Sequence, residues 1–336
     1  MVTATGDGNN MRTTRPLCIL AAAALLGPAA AHAAAAEAAY PTKPIRIVIP
    51  FTAGSATDII ARFVNPSLVE RFGKQVVTDN RPSAGGIVAC SIVAESAPDG
   101  HTLLVTGSNF AGSAALYSKL PFDPVKDFSG VTQYASTPLV LVVAAGLGVK
   151  TVKDFIALAK AKPGQLNYAS TGLGSGPHYG AELFKLVAGI DAVHVPYRGS
   201  PETLTDLMAG RVQFILSPVL AASPLIRGGK IVALGVTTSY RAQALPDVPT
   251  IAEAGLPKFE YQGWYGMLAP SRTPRELIQF LSKEIGAILE HPEIKERIAS
   301  QGAVAKSSTP EAFDRLVHEE IATRRKVWKA AGVKVE

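Results

Sequence analysis

Residues 45–58 read Ile45-Arg46-Ile47-Val48-Ile49-Pro50-Phe51-Thr52-Ala53-Gly54-Ser55-Ala56-Thr57-Asp58. The β-branched run from Ile45 to Ile49 has the composition of a strand, and it stops at Pro50, which cannot donate to a sheet ladder. A loop of small residues follows, with Gly54, Ser55 and Thr57, and Ile59-Ile60-Ala61-Arg62-Phe63 then continues as a helix. Strand, short loop and helix start aim free backbone N–H groups at one point, and the helix dipole adds partial positive charge there. The stretch therefore predicts a site for an anion such as a carboxylate or phosphate. Asp58 reads as a helix N-terminal charge rather than an anion contact.

Working outward, strands and helices alternate. Gln75 to Thr78 and Thr102 to Thr106 read as strands. Thr57 to Phe72 reads as a helix bent at Pro66, and Ile87 to Ser96 as a short helix. This alternation argues for an α/β fold with mostly parallel sheets. The apolar run Thr137 to Ala145 reads as one buried strand crossing to a second lobe. There the pattern repeats. Leu166 to Ala169 is strand-like, Ser170-Thr171-Gly172-Leu173-Gly174-Ser175-Gly176 is a small-residue loop, and Pro177 sits at the first position of a helix. His194 to Tyr197, Phe214 to Leu216 and Ile231 to Val236 read as further strands. Gly263 to Leu268 recrosses. Thr273-Pro274-Arg275-Glu276 reads as a capping box opening C-terminal helices broken at His291-Pro292 and Thr309-Pro310. Leu277, Phe280, Leu281, Ile285 and Ile288 mark the inward face of the first of these. The expected organisation is a leader over 1–36, a first lobe over 38–141 plus 262–336, and a second lobe over 142–261. Two crossing strands form the hinge.

The leader is read from Arg12 and Arg15, the apolar run Leu17 to Leu26 and the small-x-small site Ala31-His32-Ala33. The apolar run ends at Gly27-Pro28, short of the ~20 residues a membrane span needs. The chain is therefore expected to be exported and cleaved, with either Met1 or Met11 as its start. Of two cysteines, Cys18 leaves with the leader, without the context of a lipid anchor. Cys90 then has no internal partner and reads as a packed thiol. Removing Asp7, Arg12 and Arg15 leaves +5 of the chain's +6 net charge, spread thinly. The one cluster, Arg324-Arg325-Lys326, reads as a solvated helix face, so nucleic acid is not an expected partner.

Catalytic motifs are sparse. Gly-x-Ser-x-Gly is absent at Ser55 and Ser175. His318-Glu319-Glu320-Ile321-Ala322 lacks the second histidine of a zinc protease, and Pro177 occupies the third glycine position of a dinucleotide fingerprint. One rival reading survives: a secreted serine hydrolase using Ser175 and His178. The loops Thr52–Thr57, Ser83–Gly86 and Thr171–Gly176 favour anion binding instead, through amides and hydroxyls, with no metal or cofactor.

Several longer stretches share a pattern. These are Pro50-Phe51-Thr52-Ala53-Gly54-Ser55-Ala56-Thr57-Asp58 with Ala61-Arg62, then Asn80-Arg81-Pro82-Ser83-Ala84-Gly85-Gly86, Leu120-Pro121-Phe122-Asp123-Pro124 and Asp127-Phe128. Tyr168 to Ser175 with His178, Val195-Pro196-Tyr197-Arg198-Gly199, and Pro246-Asp247-Val248-Pro249-Thr250 with Glu253-Ala254-Gly255 complete the set. Jointly and in this order, they resemble the Bug or TctC-type extracytoplasmic solute receptors of tripartite tricarboxylate transporters. The resemblance runs from Tyr40-Pro41 to the end. It implies a two-lobed periplasmic-binding-protein-like (type II) fold and a monomer without catalysis, handing a small organic carboxylate to integral membrane transporter subunits. It places the ligand against Phe51, Thr52, Ala53, Gly54, Ser55, Ala56, Thr57, Ser108 and Asn109 of the first lobe. In the second lobe it implies Ser170, Thr171, Gly172, Ser175, His178, Tyr197 and Arg198. The chain departs from the pattern at Thr52-Ala53, Ser55-Ala56, Ser83 and Cys90, where glycine or proline is more usual. Ser217-Pro218 stands where Asp or Asn is common, which disfavours an amino-acid ligand.

Overall fold

The computed structural model describes residues 40–333. Two mixed sheets share one plan. The first runs β11-β4-β10-β3-β1-β2, from β1 (Ile45–Ile49), β2 (Val76–Asn80), β3 (Thr102–Gly107), β4 (Phe128–Thr137), β10 (Gly263–Pro270) and β11 (Val304–Ala305). The second runs β7-β6-β8-β5-β9, from β5 (Leu139–Ala144), β6 (Asn167–Ser170), β7 (Val193–Pro196), β8 (Phe214–Pro218) and β9 (Ile231–Val236). Each has three parallel strands in the order second, first, third, then an antiparallel strand, then a fourth. The antiparallel members, β10 and β5, arrive directly from the other lobe. The lobes thus exchange one strand each.

Where the sequence reads one strand over Thr137 to Ala145, the structure has two. β4 ends at Thr137 in the first sheet, β5 starts at Leu139 in the second, and Pro138 turns the chain between them. β5 is apolar throughout because both its faces are covered. Leu139, Leu141 and Val143 enter one core of the second lobe, while Val140, Val142 and Ala144 enter the other.

Helix α1 (Ala56–Phe72) is capped by Ser55 and closed by Gly73 at φ 63°, where its N–H reaches the Val69 carbonyl; the helix is continuous through Pro66. Helices α2 (Ile87–Ala94) and α3 (Asn109–Leu116) follow β2 and β3, and α4 (Val152–Ala161) follows β5. In the second lobe α5 (Gly176–Ala188), α6 (Ser200–Met208) and α7 (Val219–Arg227) follow β6, β7 and β8. Helices α8 (Arg275–Leu289), α9 (Pro292–Ser300) and α10 (Pro310–Ala330) end the chain. The expected capping box is absent. Pro274 is itself the cap of α8, and the buried Thr273 hydroxyl makes no hydrogen bond among the described residues. The buried stripe of α8 is Ile278, Leu281, Ile285, Ile288 and Leu289. It is rotated slightly from the expected face, leaving Phe280 at the margin stacked on Phe72.

The first lobe's core includes Val48, Cys90, Val93, Leu104, Phe110, Trp264 and Phe313. Burial pushes the Cys90 thiol up to about 12, which keeps it protonated and inert. Helix α10 divides its packing. Phe313, Val317 and Ile321 belong to the first lobe's core, whereas Val327 and Trp328 belong to a core of the second.

Candidate functional site

Because β1, β2 and β3 are parallel, their C-terminal ends lie along one edge of the sheet, where open α/β sheets bind ligands. Pro50, Gly86 and Asn109 meet there. A methyl group on Gly86 would stand 2.8 Å from Pro50 Cβ and 3.5 Å from Asn109 Nδ2, and at φ +74° glycine is the residue that fits. Asn109 is 8% exposed. Its Oδ1 accepts from Gly107 N at 3.2 Å and Thr106 Oγ1 at 3.3 Å, which fixes the amide's orientation. Its Nδ2 is buried and has no hydrogen-bond partner among the described residues.

The loop after β1 is wired from beneath by Asp58. The carboxylate accepts from Gly54 N at 2.9 Å, Arg62 Nε at 2.9 Å and Asn80 Nδ2 at 3.1 Å. Burial would raise its pKa, but the bonds from Arg62, Gly54 and Asn80 outweigh burial and hold it below the usual carboxylate range. Ser55 N is taken by the Thr52 carbonyl, and Ser55 Oγ caps Asp58 N at 3.3 Å. The N–H groups of Thr52, Ala53, Ala56 and Thr57 make no hydrogen bond among the described residues. Ser108 is committed to β10, exchanging Ser108 N to Trp264 O at 3.1 Å and Trp264 N to Ser108 Oγ at 2.9 Å.

The second lobe repeats the arrangement at the C-terminal ends of β6 and β7. Ser170 Oγ lies 2.6 Å from His194 Nε2 and accepts from Gly172 N at 3.2 Å, bracing the loop from inside. Ser175 caps α5 by accepting from His178 N at 3.3 Å. The His178 ring, 1% exposed, is stacked between His194 at 4.0 Å and Trp328 at 4.7 Å. Its Nδ1 accepts from Gly174 N at 3.1 Å, so its proton sits on Nε2. Burial, with His194, Lys185 and Arg324 nearby, lowers its pKa to about 2. Tyr197 donates its hydroxyl to Asp206 at 2.6 Å, and its carbonyl lies against Gly172. Arg198 is exposed and has no ion pair or hydrogen bond among the described residues.

Residues 60–333 match the family model described as the tripartite tricarboxylate transporter family receptor. The chain belongs to this receptor family. Protein BugT of Bordetella pertussis is 34% identical over 299 residues, spanning 88% of this chain and 92% of that protein. The R. palustris protein Rpa4515, solved with adipate, is 36% identical with a TM-score of 0.82, covering 87% of this chain and 98% of that one. MatC from Rhodopseudomonas palustris, solved with malate, is 31% identical with a TM-score of 0.78, covering 86% and 99%.

A family receptor of this kind is not an enzyme, and the Ser175–His178 hydrolase reading falls. Ser175 Oγ meets the backbone of His178 rather than its ring, and the ring's one acceptor nitrogen is occupied by Gly174 N. The receptor's two loop sets place Thr52, Ala53, Ala56, Thr57, Thr171 and Arg198 at the strand ends with polar groups to spare, while Gly172 spends its N–H on Ser170 Oγ and its carbonyl on Ser175 N at 3.2 Å. Gly54, Ser55, Ser170, Ser175, His178 and Tyr197 spend theirs on holding the loops. Phe51 contributes its carbonyl to Asn80 Nδ2 at 3.0 Å. The Arg324 reading is corrected: Arg325 and Lys326 are exposed, but Arg324 is fully buried. Its spacing from Val317, Ile321, Val327 and Trp328 puts it on the apolar stripe of α10, which was the available signal.

Proposed function

We propose that this receptor binds a small organic carboxylate, a dicarboxylate in the first instance, between its two lobes. The observation that carries the reading is the buried Asn109 Nδ2, a donor without an acceptor, beside Pro50 and Gly86 at the ends of β1 to β3. A buried donor left unpaired costs about 1–3 kcal/mol, and an anionic oxygen is the acceptor that repays most. The open N–H groups of Thr52, Ala53, Ala56 and Thr57 at the start of α1 complete an anion cradle built from dipoles. Thr171 and Arg198 supply the second lobe's share, with Arg198, which has no ion pair among the described residues, as the cation for a distal carboxylate. The adipate and malate found in relatives support a ligand with two carboxylates. Buried Ser217 offers no acid to an ammonium group, which supports a ligand without one.

In this reading the leader 1–36 is removed on export, and the mature chain works in the periplasm as a monomer. The chain crosses between the lobes at Pro138 and Gln262, and the closed, loaded form is what the membrane subunits of a tripartite transporter recognise. The test is a thermal-shift series on residues 37–336 with C4 to C6 dicarboxylates and their diamides. Ligand at 100 times its Kd adds about 2.7 kcal/mol to stability. Asn109→Asp keeps the acceptor for Gly107 N and replaces the donor with a negative oxygen. It should abolish the shift while leaving a folded protein. A shift unchanged in that variant would remove Asn109 from the site.

A further inference from the structure

Both lobes place their ligand loops on one buried polar chain that runs through the C-terminal helix. It starts at Ser108, at the end of β3, which exchanges two hydrogen bonds with the backbone of Trp264. Trp264 Nε1 donates to Glu320 on α10. Glu320 accepts in turn from Arg324 Nε at 3.0 Å and Nη2 at 2.6 Å. Arg324 then leaves the first lobe's residues. Its Nη2 donates to the Tyr261 hydroxyl at 2.8 Å and its Nη1 to the Gly174 carbonyl at 3.5 Å. Its guanidinium lies 4.2 Å from the centre of the Tyr179 ring in α5. Tyr261 is the residue just before the return crossing, and its own N–H is held by Thr237 O at 2.8 Å in the second lobe. Gly174 belongs to the loop that precedes α5.

The position of Arg324 along α10 matters. Ile321, one turn before it, packs in the first lobe's core, and Val327 and Trp328, one turn after it, pack in the second's. The helix is therefore a third connection between the lobes, besides the two strand crossings, and Arg324 touches hinge and ligand loop together. A guanidinium suits this post. Its planar fork satisfies a carboxylate, a hydroxyl and a carbonyl at once, which an ammonium cannot do in fixed geometry. Fully buried, it is held by specific partners rather than by water, so a change in lobe angle must break identified bonds.

We propose that Arg324, carried on the strap helix α10, is a positioning residue that pins the angle between the lobes and couples it to the loop Thr171–Gly176. The pin acts before any ligand arrives, so it is independent of which ligand the receptor takes. Opening the lobes separates Arg324 from Gly174 and Tyr261 while Glu320 stays with Trp264.

The test measures interlobe distance without ligand. Nitroxides at Glu70→Cys in α1 and Lys160→Cys in α4, both exposed, report on one lobe each, and buried Cys90 stays unlabelled. Double electron–electron resonance on the pair should show one distance distribution in the parent. Arg324→Met should broaden or displace it, and Arg324→Lys, which keeps the charge beside Glu320 but loses the fork, should do so as well. A variant that melts earlier but keeps the parent's distribution would mean that Arg324 merely stabilises the fold, and the proposal would be overturned. If Arg324→Met does not fold, Arg324→Lys decides in the same terms. Adding adipate to the parent tests the receptor reading separately. An absent response to adipate leaves the ligand-free comparison of distances intact.

Discussion

At the scale of single residues, Ser55 and Ser175 do the same work in the two lobes. Each caps a helix by accepting the N–H three residues on, at 3.3 Å. The sequence reading assigned both to the ligand and missed this role, although a cap is local and a small hydroxyl before a helical run is its whole signature. Ser175→Ala should therefore lower stability by about 1 kcal/mol. No turnover should be lost, and the parent should be inert on an ester panel; hydrolysis removed by the variant would revive the rival reading. The histidines could not be read so locally. His178 and His194 stack with Tyr168 and Trp328, residues remote in the chain, and burial lowers their pKa values to about 2 and about 4. Both rings are thus neutral in the folded chain, while the unfolded chain protonates them near pH 6.5. Their contribution is complete above that pH and shrinks as pH falls towards 4, by up to about 1.4 kcal/mol per unit for each ring. Urea midpoints between pH 7.5 and 5 should fall accordingly and should fall less steeply in His194→Gln. A flat profile over that range would contradict neutral burial.

At the scale of elements, what the sequence concealed follows from what periodicity can carry. The strands with parallel partners were legible as short apolar runs. The break at Pro138 was not, because buried strands on either side of it are equally apolar, and only the sheet they join tells them apart. Helix α3 was also missed. Gly107-Ser108-Asn109 has the composition of a turn, and Asn-Phe-Ala-Gly-Ser-Ala-Ala-Leu shows no apolar stripe because nearly every residue in it is buried. Its small residues have a use between lobes. A methyl group on Gly112 would come 1.8 Å from the Gly174 carbonyl oxygen and 2.9 Å from Arg324 Nη1. Neither the α3 backbone nor the loop Thr171–Gly176 can yield that much in place. Gly112→Ala should therefore push loop Thr171–Gly176 away from α3, although alanine is the better helix former by about 1 kcal/mol. The expected outcome is a lower melting temperature with unchanged helical content by circular dichroism. A stabilised variant would show that the two lobes do not meet at this contact.

At the scale of the whole molecule, the two sheets are one design used twice, with the antiparallel strands exchanged. That plan was legible as a repeated strand–loop–helix pattern and as two crossings. The role of α10 was not, since its N-terminal half and its last turns look alike in sequence yet serve different cores. Strand exchange, the α3 contact and the strap together make each lobe's core depend on the other. Neither lobe holds all of its sheet or all of its core within one continuous stretch of chain, so unfolding one lobe exposes surface in both. The ligand-free protein should then melt in a single transition whose calorimetric and van't Hoff enthalpies agree. Trp328 is the sharpest place to test this. It is buried in the second lobe's core, stacked on His178 and set edge-on to Tyr179, at the end of a helix anchored in the first. Trp328→Ala should cost about 3–5 kcal/mol, and because the two cores are coupled the single transition should move down as a whole. A separate shoulder below the main transition would mean that the loss falls on the second lobe alone and that the cores are not coupled. Trp328→Phe keeps the ring contact and removes only a buried indole N–H that has no partner among the described residues, so it should melt in one step near the parent. Two transitions in the parent itself would mean that the strap joins the lobes without coupling their stability.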